Sequence, residues 1–342
     1  MSRTSAGQHR PVAVIGAGSW GTALAIQYAR AGTPVSLWGR DADQLELMAK
    51  ERINMRYLPE GPFPELLQAT TSLADALADV DEILVSVPSH ALRNTLALIR
   101  ETTDKPLRVA WATKGLELAT GKLPHQVVRE VLGDSDTYAV LSGPTFAKEL
   151  ARGLPTALTV ASRDPAFAAD IATRISDDKF RAYTSTDVVG VEVGGAVKNV
   201  MAIGAGLSDG LGFGANTRVA FITRGLSEMT RFGIALGARA ETFMGLAGMG
   251  DLVLTCTDNQ SRNRRMGLAL ASGKTIAEAE AEIQQVVEGV LAARAVHEAA
   301  ERLGVDMPIT EQIYKILYEG VEPMQAVHAL MTRATGAEFD PD

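Results

Sequence analysis

Cysteine is almost missing: Cys256 stands alone in 342 residues. One thiol can form neither an internal disulfide nor a cysteine-based metal site, and it suits a reducing compartment, so a cytoplasmic location is expected. The five histidines (His9, His90, His125, His297 and His328) are scattered without metal-ligand spacing, and no metal is expected. Met1–Arg10 lacks the apolar core of a signal peptide. The longest weakly charged stretch, Val193–Leu207, carries Lys198, Asn199 and several glycines, which reads as a buried helix rather than a membrane span. No short repeat or low-complexity tract stands out. Basic charge is also in deficit, with 33 Lys and Arg against 41 Asp and Glu, a net charge of −8. Such a surface repels nucleic acid and anionic lipid, so neither is expected as a partner. An anionic substrate must then be met by a local basic cluster.

What is present is globular composition, 46% hydrophobic and 22% charged, over a length that suits two domains. Pro11–Ile15, Pro34–Trp38, Glu82–Val87, Leu107–Ala112, Tyr138–Leu141 and Thr156–Ala161 are short apolar runs. Trp20–Arg30, Asp41–Arg52, Ser89–Arg100, Leu123–Leu132 and Thr145–Ala151 are helix-like segments between most of them. Continuous apolar strands alternating with helices predict a mostly parallel sheet covered on both faces. Beyond about Thr186 only helical patterns remain: Val188–Leu207, Asn216–Leu236, Ser261–Ala271, Gly289–Leu303 and Thr310–Tyr318. That change places a domain boundary near residue 188.

The first strand runs into Gly16-Ala17-Gly18-Ser19-Trp20-Gly21, a G-x-G-x-x-G turn followed by a helix. The first glycine allows the tight turn, the second lets a pyrophosphate approach the backbone, and the third lets helix and strand pack closely. Helix N–H groups then face the anion. The fold expected is therefore α/β: residues 1–10 an N-terminal extension, 11–187 a Rossmann (doubly wound) domain, and 188–335 an all-α domain for substrate and catalysis. The second strand ends at Trp38-Gly39-Arg40-Asp41, where an acidic residue would bind an NAD ribose. Arg40 offers a guanidinium for a 2′-phosphate, which favours NADP(H) with some use of NAD(H). The alternative is a solvated arginine beside a helix-capping Asp41.

Lys198 is the most informative single residue. Its helical neighbours Gly194, Gly195, Met201 and Ala202 carry no charge. Such a lysine is either buried for a reason or snorkelling to solvent. If buried, its ammonium deprotonates more readily and can exchange a proton with a substrate hydroxyl. Arg262, Arg264 and Arg265, at the start of a helical pattern, form a local positive site suited to phosphate, or else a solvated helix end. Ala112-Thr113-Lys114-Gly115 follows a strand at the edge where ligands of such sheets sit. Ser142-Gly143-Pro144-Thr145 turns a strand into a helix, with N–H groups free either for a substrate or for plain capping. Cys256 has no histidine near it in sequence and reads as a packed thiol.

In order, these segments resemble the bacterial cytoplasmic type of NAD(P)-dependent glycerol-3-phosphate dehydrogenase. The resemblance rests on the glycine turn with Thr22-Ala23, on Ala112–Gly115, on Leu141–Ala147 and on Gly195–Asn199. It continues through Gly248-Met249-Gly250-Asp251-Leu252, Ser261–Arg264 and Val286-Val287-Glu288-Gly289. It implies that Gly16, Gly18, Gly21, Ser19, Trp20 and Arg40 meet the cofactor, and that Lys114 reaches cofactor and substrate. Gly143 and Thr145 would hold substrate, with Ala147 on the nicotinamide side, and Lys198 would be the proton acceptor. Asp251, Ser261, Arg262 and Asn263 would complete the substrate pocket, Arg262 also meeting the cofactor, while Val286 and Glu288 close over it. It further implies a small phosphorylated three-carbon substrate, dihydroxyacetone phosphate, reduced reversibly to sn-glycerol 3-phosphate for glycerophospholipid synthesis, and a homodimer. Residues 1–10 and the tail Phe339–Asp342 lie outside the pattern.

Overall fold

A computed structural model of the chain describes residues 9–334, Asp136 excepted. The expected extension lies outside them apart from His9 and Arg10, and the tail lies outside them entirely. Among the described residues ten strands, most of them separated by helices, fill the first part of the chain: β1 (Val12–Ile15), β2 (Val35–Trp38), β3 (Ile53–Asn54), β4 (Leu58–Pro62), β5 (Leu67–Thr70), β6 (Glu82–Val85), β7 (Arg108–Trp111), β8 (Tyr138–Ser142), β9 (Thr156–Ser162) and β10 (Phe180–Ser185). Eight of them form one sheet in the order β10-β9-β8-β7-β6-β1-β2-β5, parallel except where β8 pairs antiparallel with β9. β3 and β4 make a separate antiparallel hairpin. The α/β sheet followed by helices is the expected fold class.

The predicted apolar runs are β1, β2, β6, β7, β8 and β9. β1, β6 and β8 are buried at every position, which is why they read as continuous hydrophobic segments. The two outermost strands were not anticipated, for a common reason. β5 (Leu-Gln-Ala-Thr) and β10 (Phe-Arg-Ala-Tyr-Thr-Ser) pair on one side only and keep polar side chains in water. The helix Pro165–Ile175 was also missed, although Pro165 at its first position and Asp164 accepting from the Ala166 N–H at 2.9 Å are ordinary start signals.

After β10 the chain enters the 23-residue helix Val188–Gly210, with Asp187 accepting from the Gly190 N–H at 2.9 Å. Val197, Val200, Met201 and Ile203 are fully buried, each worth about 1.5–3 kcal/mol of transfer free energy. The helices Ala215–Ala235, Asp251–Thr257, Arg262–Ala271, Glu288–Leu303 and Pro308–Tyr318 pack around it. Among the described residues it is the one helix long and apolar enough to cross a membrane, and 94% of its apolar window is buried inside the protein. One core thus lies around the sheet and a second around this helix.

Candidate active site

The loops after β1, β6, β7 and β8 open on the same edge of the sheet, the carboxyl ends of its parallel strands. At β1 the glycine turn divides its labour as expected. Gly16 has φ +123°, and a Cβ there would stand 2.2 Å from the Ser86 carbonyl oxygen. A Cβ on Gly21 would stand 1.9 Å from the Gly16 oxygen. Around Gly18, by contrast, a Cβ would meet nothing within 4 Å, so the second glycine leaves room for an outside group. The helix Ser19–Arg30 begins there without a side-chain cap or an acidic residue in its first turn, so its positive end is left for an anion. These features fit a dinucleotide pyrophosphate.

The β3–β4 hairpin, absent from the sequence reading, folds over this turn. Asn54 is fully buried and its amide donates to the Ala17 carbonyl at 3.0 Å and to Thr22 Oγ1 at 2.9 Å. Ser19 Oγ donates to the Tyr57 carbonyl at 2.9 Å. Trp20 is partly buried against the sheet core, with its indole N–H enclosed and unpartnered. The turn formers Pro59, Gly61 and Pro62 were the available signal for the hairpin. Arg40 is exposed just beyond β2 and forms no ion pair among the described residues, while Asp41 caps the next helix by accepting from the Gln44 N–H at 3.0 Å.

Lys198 is buried, only 6% exposed, rather than snorkelling. The absence of a charged neighbour along its own helix is made good from a distant segment: its Nζ donates to Asp251 Oδ1, and to Thr255 Oγ1 at 3.1 Å. Asp251 is fully buried, and its other oxygen accepts from Lys114 Nζ at 2.8 Å. Lys114 also reaches the Gly143 carbonyl at 3.5 Å. One carboxylate therefore joins the lysine after β7, the turn after β8 and the long helix. Burial is the main influence on Lys198 and lowers its pKa to about 7; Asp251 opposes the shift and Lys114 adds to it. An amine titrating there can give or take a proton near neutral pH.

Glycines permit this convergence. A Cβ on Gly194 would stand 2.2 Å from the Ala247 carbonyl oxygen, so the long helix lies directly on the π-type turn Leu246–Gly250 that leads into Asp251. A Cβ on Gly195 would stand 3.2 Å from Ser142 Oγ and 3.3 Å from Lys114 Cγ. Thr145 Oγ1 donates back to the Gly143 carbonyl at 3.2 Å, and Ala147 begins the helix Ala147–Ala151 close by in sequence.

The arginine cluster divides, which corrects the expectation of three side chains forming one positive site. Arg264 is buried and pairs with Asp209 at 2.6 Å inside the helical half, because its helical position turns it to that core. Arg262 forms no ion pair among the described residues; burial lowers its pKa and the Glu288 charge opposes this. Ser261 caps its own helix, accepting from the Arg264 N–H at 3.2 Å. Asn263 is held by structural bonds, donating to Asn199 Oδ1 at 2.8 Å and accepting from the Gly289 N–H at 2.9 Å. Glu288 accepts from Ser89 Oγ at 3.0 Å and so links the helical half to the loop after β6, while Val286 is exposed nearby in the chain. Cys256 is fully buried, which pushes its thiol up to about 12 and fits the packed role expected of it.

Known proteins correspond to this arrangement. The family model described as the NAD-dependent glycerol-3-phosphate dehydrogenase N-terminus matches residues 11–168, and the model for the C-terminus of the same enzymes matches 187–328. The chain belongs to this dehydrogenase family. Among its dehydrogenase relatives, the NAD(P)+ glycerol-3-phosphate dehydrogenase of Idiomarina loihiensis is 54% identical over 96% of this chain and 98% of its own. The one from Aeromonas hydrophila is 56% identical over 94% and 97%. The crystal structure of glycerol-3-phosphate dehydrogenase from Coxiella burnetii superposes with a TM-score of 0.92 at 47% identity, covering 95% of this chain and 99% of that one. The ketopantoate reductase of Ralstonia eutropha, at 16% identity and a TM-score of 0.61, shares the fold alone.

Proposed function

We propose that this NAD(P)-dependent dehydrogenase reduces dihydroxyacetone phosphate to sn-glycerol 3-phosphate, reversibly, and so supplies the backbone for glycerophospholipid synthesis. The observation that carries the proposal is the buried Lys198–Asp251–Lys114 cluster at the sheet edge that also carries the glycine turn. The dinucleotide, when bound, supplies the hydride. Gly16, Gly18, Gly21, Ser19, Trp20 and Arg40 hold its phosphates and adenosine end, and Ala147, Arg262, Val286 and Glu288 border its other end. Lys198 gives its proton to the oxygen on C2 as negative charge develops there, and Lys114 adds positive charge. Gly143, Thr145, Ser261, Arg262 and Asn263 fix the substrate, whose phosphate is a remote handle for orientation. In the reverse direction Lys198 takes the proton back. Residues 11–187 act as the dinucleotide-binding domain and 188–335 as the substrate and catalytic domain. A homodimer and a cytoplasmic setting complete the reading, the latter supported by the single buried thiol.

The direct test is oxidation of NADPH on addition of dihydroxyacetone phosphate to purified protein. Rapid oxidation is expected with this substrate and little with unphosphorylated keto acids; the opposite pattern overturns the substrate reading.

Arg40 supports a preference for NADP(H), because it is exposed beyond β2 and has no competing partner among the described residues. In Arg40→Ala the dissociation constant for NADPH should rise about tenfold or more, the worth of one charge-assisted contact, while that for NADH changes little. Equal weakening of both refutes the role.

A further inference from the structure

Asp41 lies about 20 residues beyond the glycine turn, where an acidic side chain ordinarily grips the ribose diol of NAD. Here neither of its oxygens is free. Oδ1 accepts from the Gln44 N–H at 3.0 Å, and Oδ2 is paired with Arg56 Nη1 at 3.1 Å. Arg56 comes from the linker between β3 and β4, and that linker is firmly held. Tyr57 is tied through its N–H to Asn54 Oδ1 at 3.2 Å and through its carbonyl to Ser19. Asn54 is in turn bonded to Ala17 and Thr22 of the glycine turn and its helix. The Arg56 guanidinium also lies over the Tyr57 ring, 5.0 Å from its centre, which further limits where it can go.

We infer that Arg56 is a second determinant of cofactor choice: it neutralises Asp41 and, with Arg40, presents positive charge to a 2′-phosphate. This rests on the dinucleotide site proposed above and extends it to a residue of the hairpin. Arg40 and Arg56 set two guanidinium groups beside the Asp41 carboxylate, with Asp43 in the first turn of the helix that follows, on a protein whose overall charge is −8. An unmasked Asp41 repels a 2′-phosphate and welcomes a diol; a masked one does neither. Arg56 is hydrogen-bonded to Asp41 through Nη1, so its remaining N–H donors can share the phosphate oxygens with Arg40 while the carboxylate stays paired.

The test uses the full chain and two fragments of the cofactor, 2′,5′-ADP and 5′-AMP, with binding measured by calorimetry in the absence of substrate. Wild-type protein should bind 2′,5′-ADP more tightly than 5′-AMP. Arg56→Ala should weaken 2′,5′-ADP about tenfold, as for one charge-assisted contact at an exposed site, and leave 5′-AMP unchanged or stronger. Adding Asp41→Asn to Arg56→Ala should restore part of the lost affinity for 2′,5′-ADP, since asparagine still caps the helix but no longer repels phosphate. Parallel weakening of both nucleotides, no change in either, or no recovery in the double variant overturns the inference while leaving the dinucleotide site standing. Wild-type protein that binds neither nucleotide overturns the site itself, and this inference with it.

Discussion

Lys198→Ala is expected to lose turnover by about 10³-fold or more while binding NADPH within about twofold of wild type, because the amine serves proton transfer and developing charge rather than the dinucleotide. The fold should survive. Asp251 keeps Lys114 as a partner at 2.8 Å, so the truncation leaves no orphaned buried charge. Steady-state rates together with NADPH titration by fluorescence check both halves. Normal turnover in the variant removes the proton-transfer assignment. Lost turnover accompanied by lost NADPH affinity moves Lys198 into the cofactor site instead.

Asp251→Asn should produce the second largest effect, a fall in turnover of roughly 10²-fold, with a distinctive pH dependence. Reduction needs the protonated amine, so in wild type kcat/KM for dihydroxyacetone phosphate should be level below about 7 and decline above it. Oxidation of glycerol 3-phosphate needs the neutral amine and should rise through the same region to a plateau. The Asp251 carboxylate raises the Lys198 pKa, opposing burial. Removing its charge leaves burial and Lys114 unopposed, so both transitions should move to lower pH. Loss of rate with both midpoints unmoved would give Asp251 a merely structural role.

Much of this site was readable from residue order because its chemistry is local. The glycine turn performs three steric tasks within six residues, and the structure assigns close contacts to Gly16 and Gly21 and open space to Gly18. Lys198 was conspicuous because no charged residue stands one turn away from it on its own helix. What supplies that charge was not readable from the same segment, since Asp251 lies 53 residues further on and arrives through a turn that depends on Gly194 and Gly248 having no side chains. The arginines show the converse limit. Three cations in one short segment look equivalent in sequence, yet helical geometry turns Arg264 towards Asp209, while Arg262 forms no ion pair among the described residues. The hairpin was missed for a third reason: β3 and β4 are too short and too rich in proline, glycine and polar residues to show a strand period, although they bring Arg56 to Asp41.

A crystal structure of the ternary complex with NADPH and an unreactive analogue of dihydroxyacetone phosphate tests the central claim most directly. The account predicts the Lys198 nitrogen within hydrogen-bonding distance of the analogue's C2 oxygen, with the nicotinamide ring on the other side of that carbon. A ring lying away from Lys198, or an analogue phosphate seated where Lys114 and Lys198 meet Asp251, contradicts it.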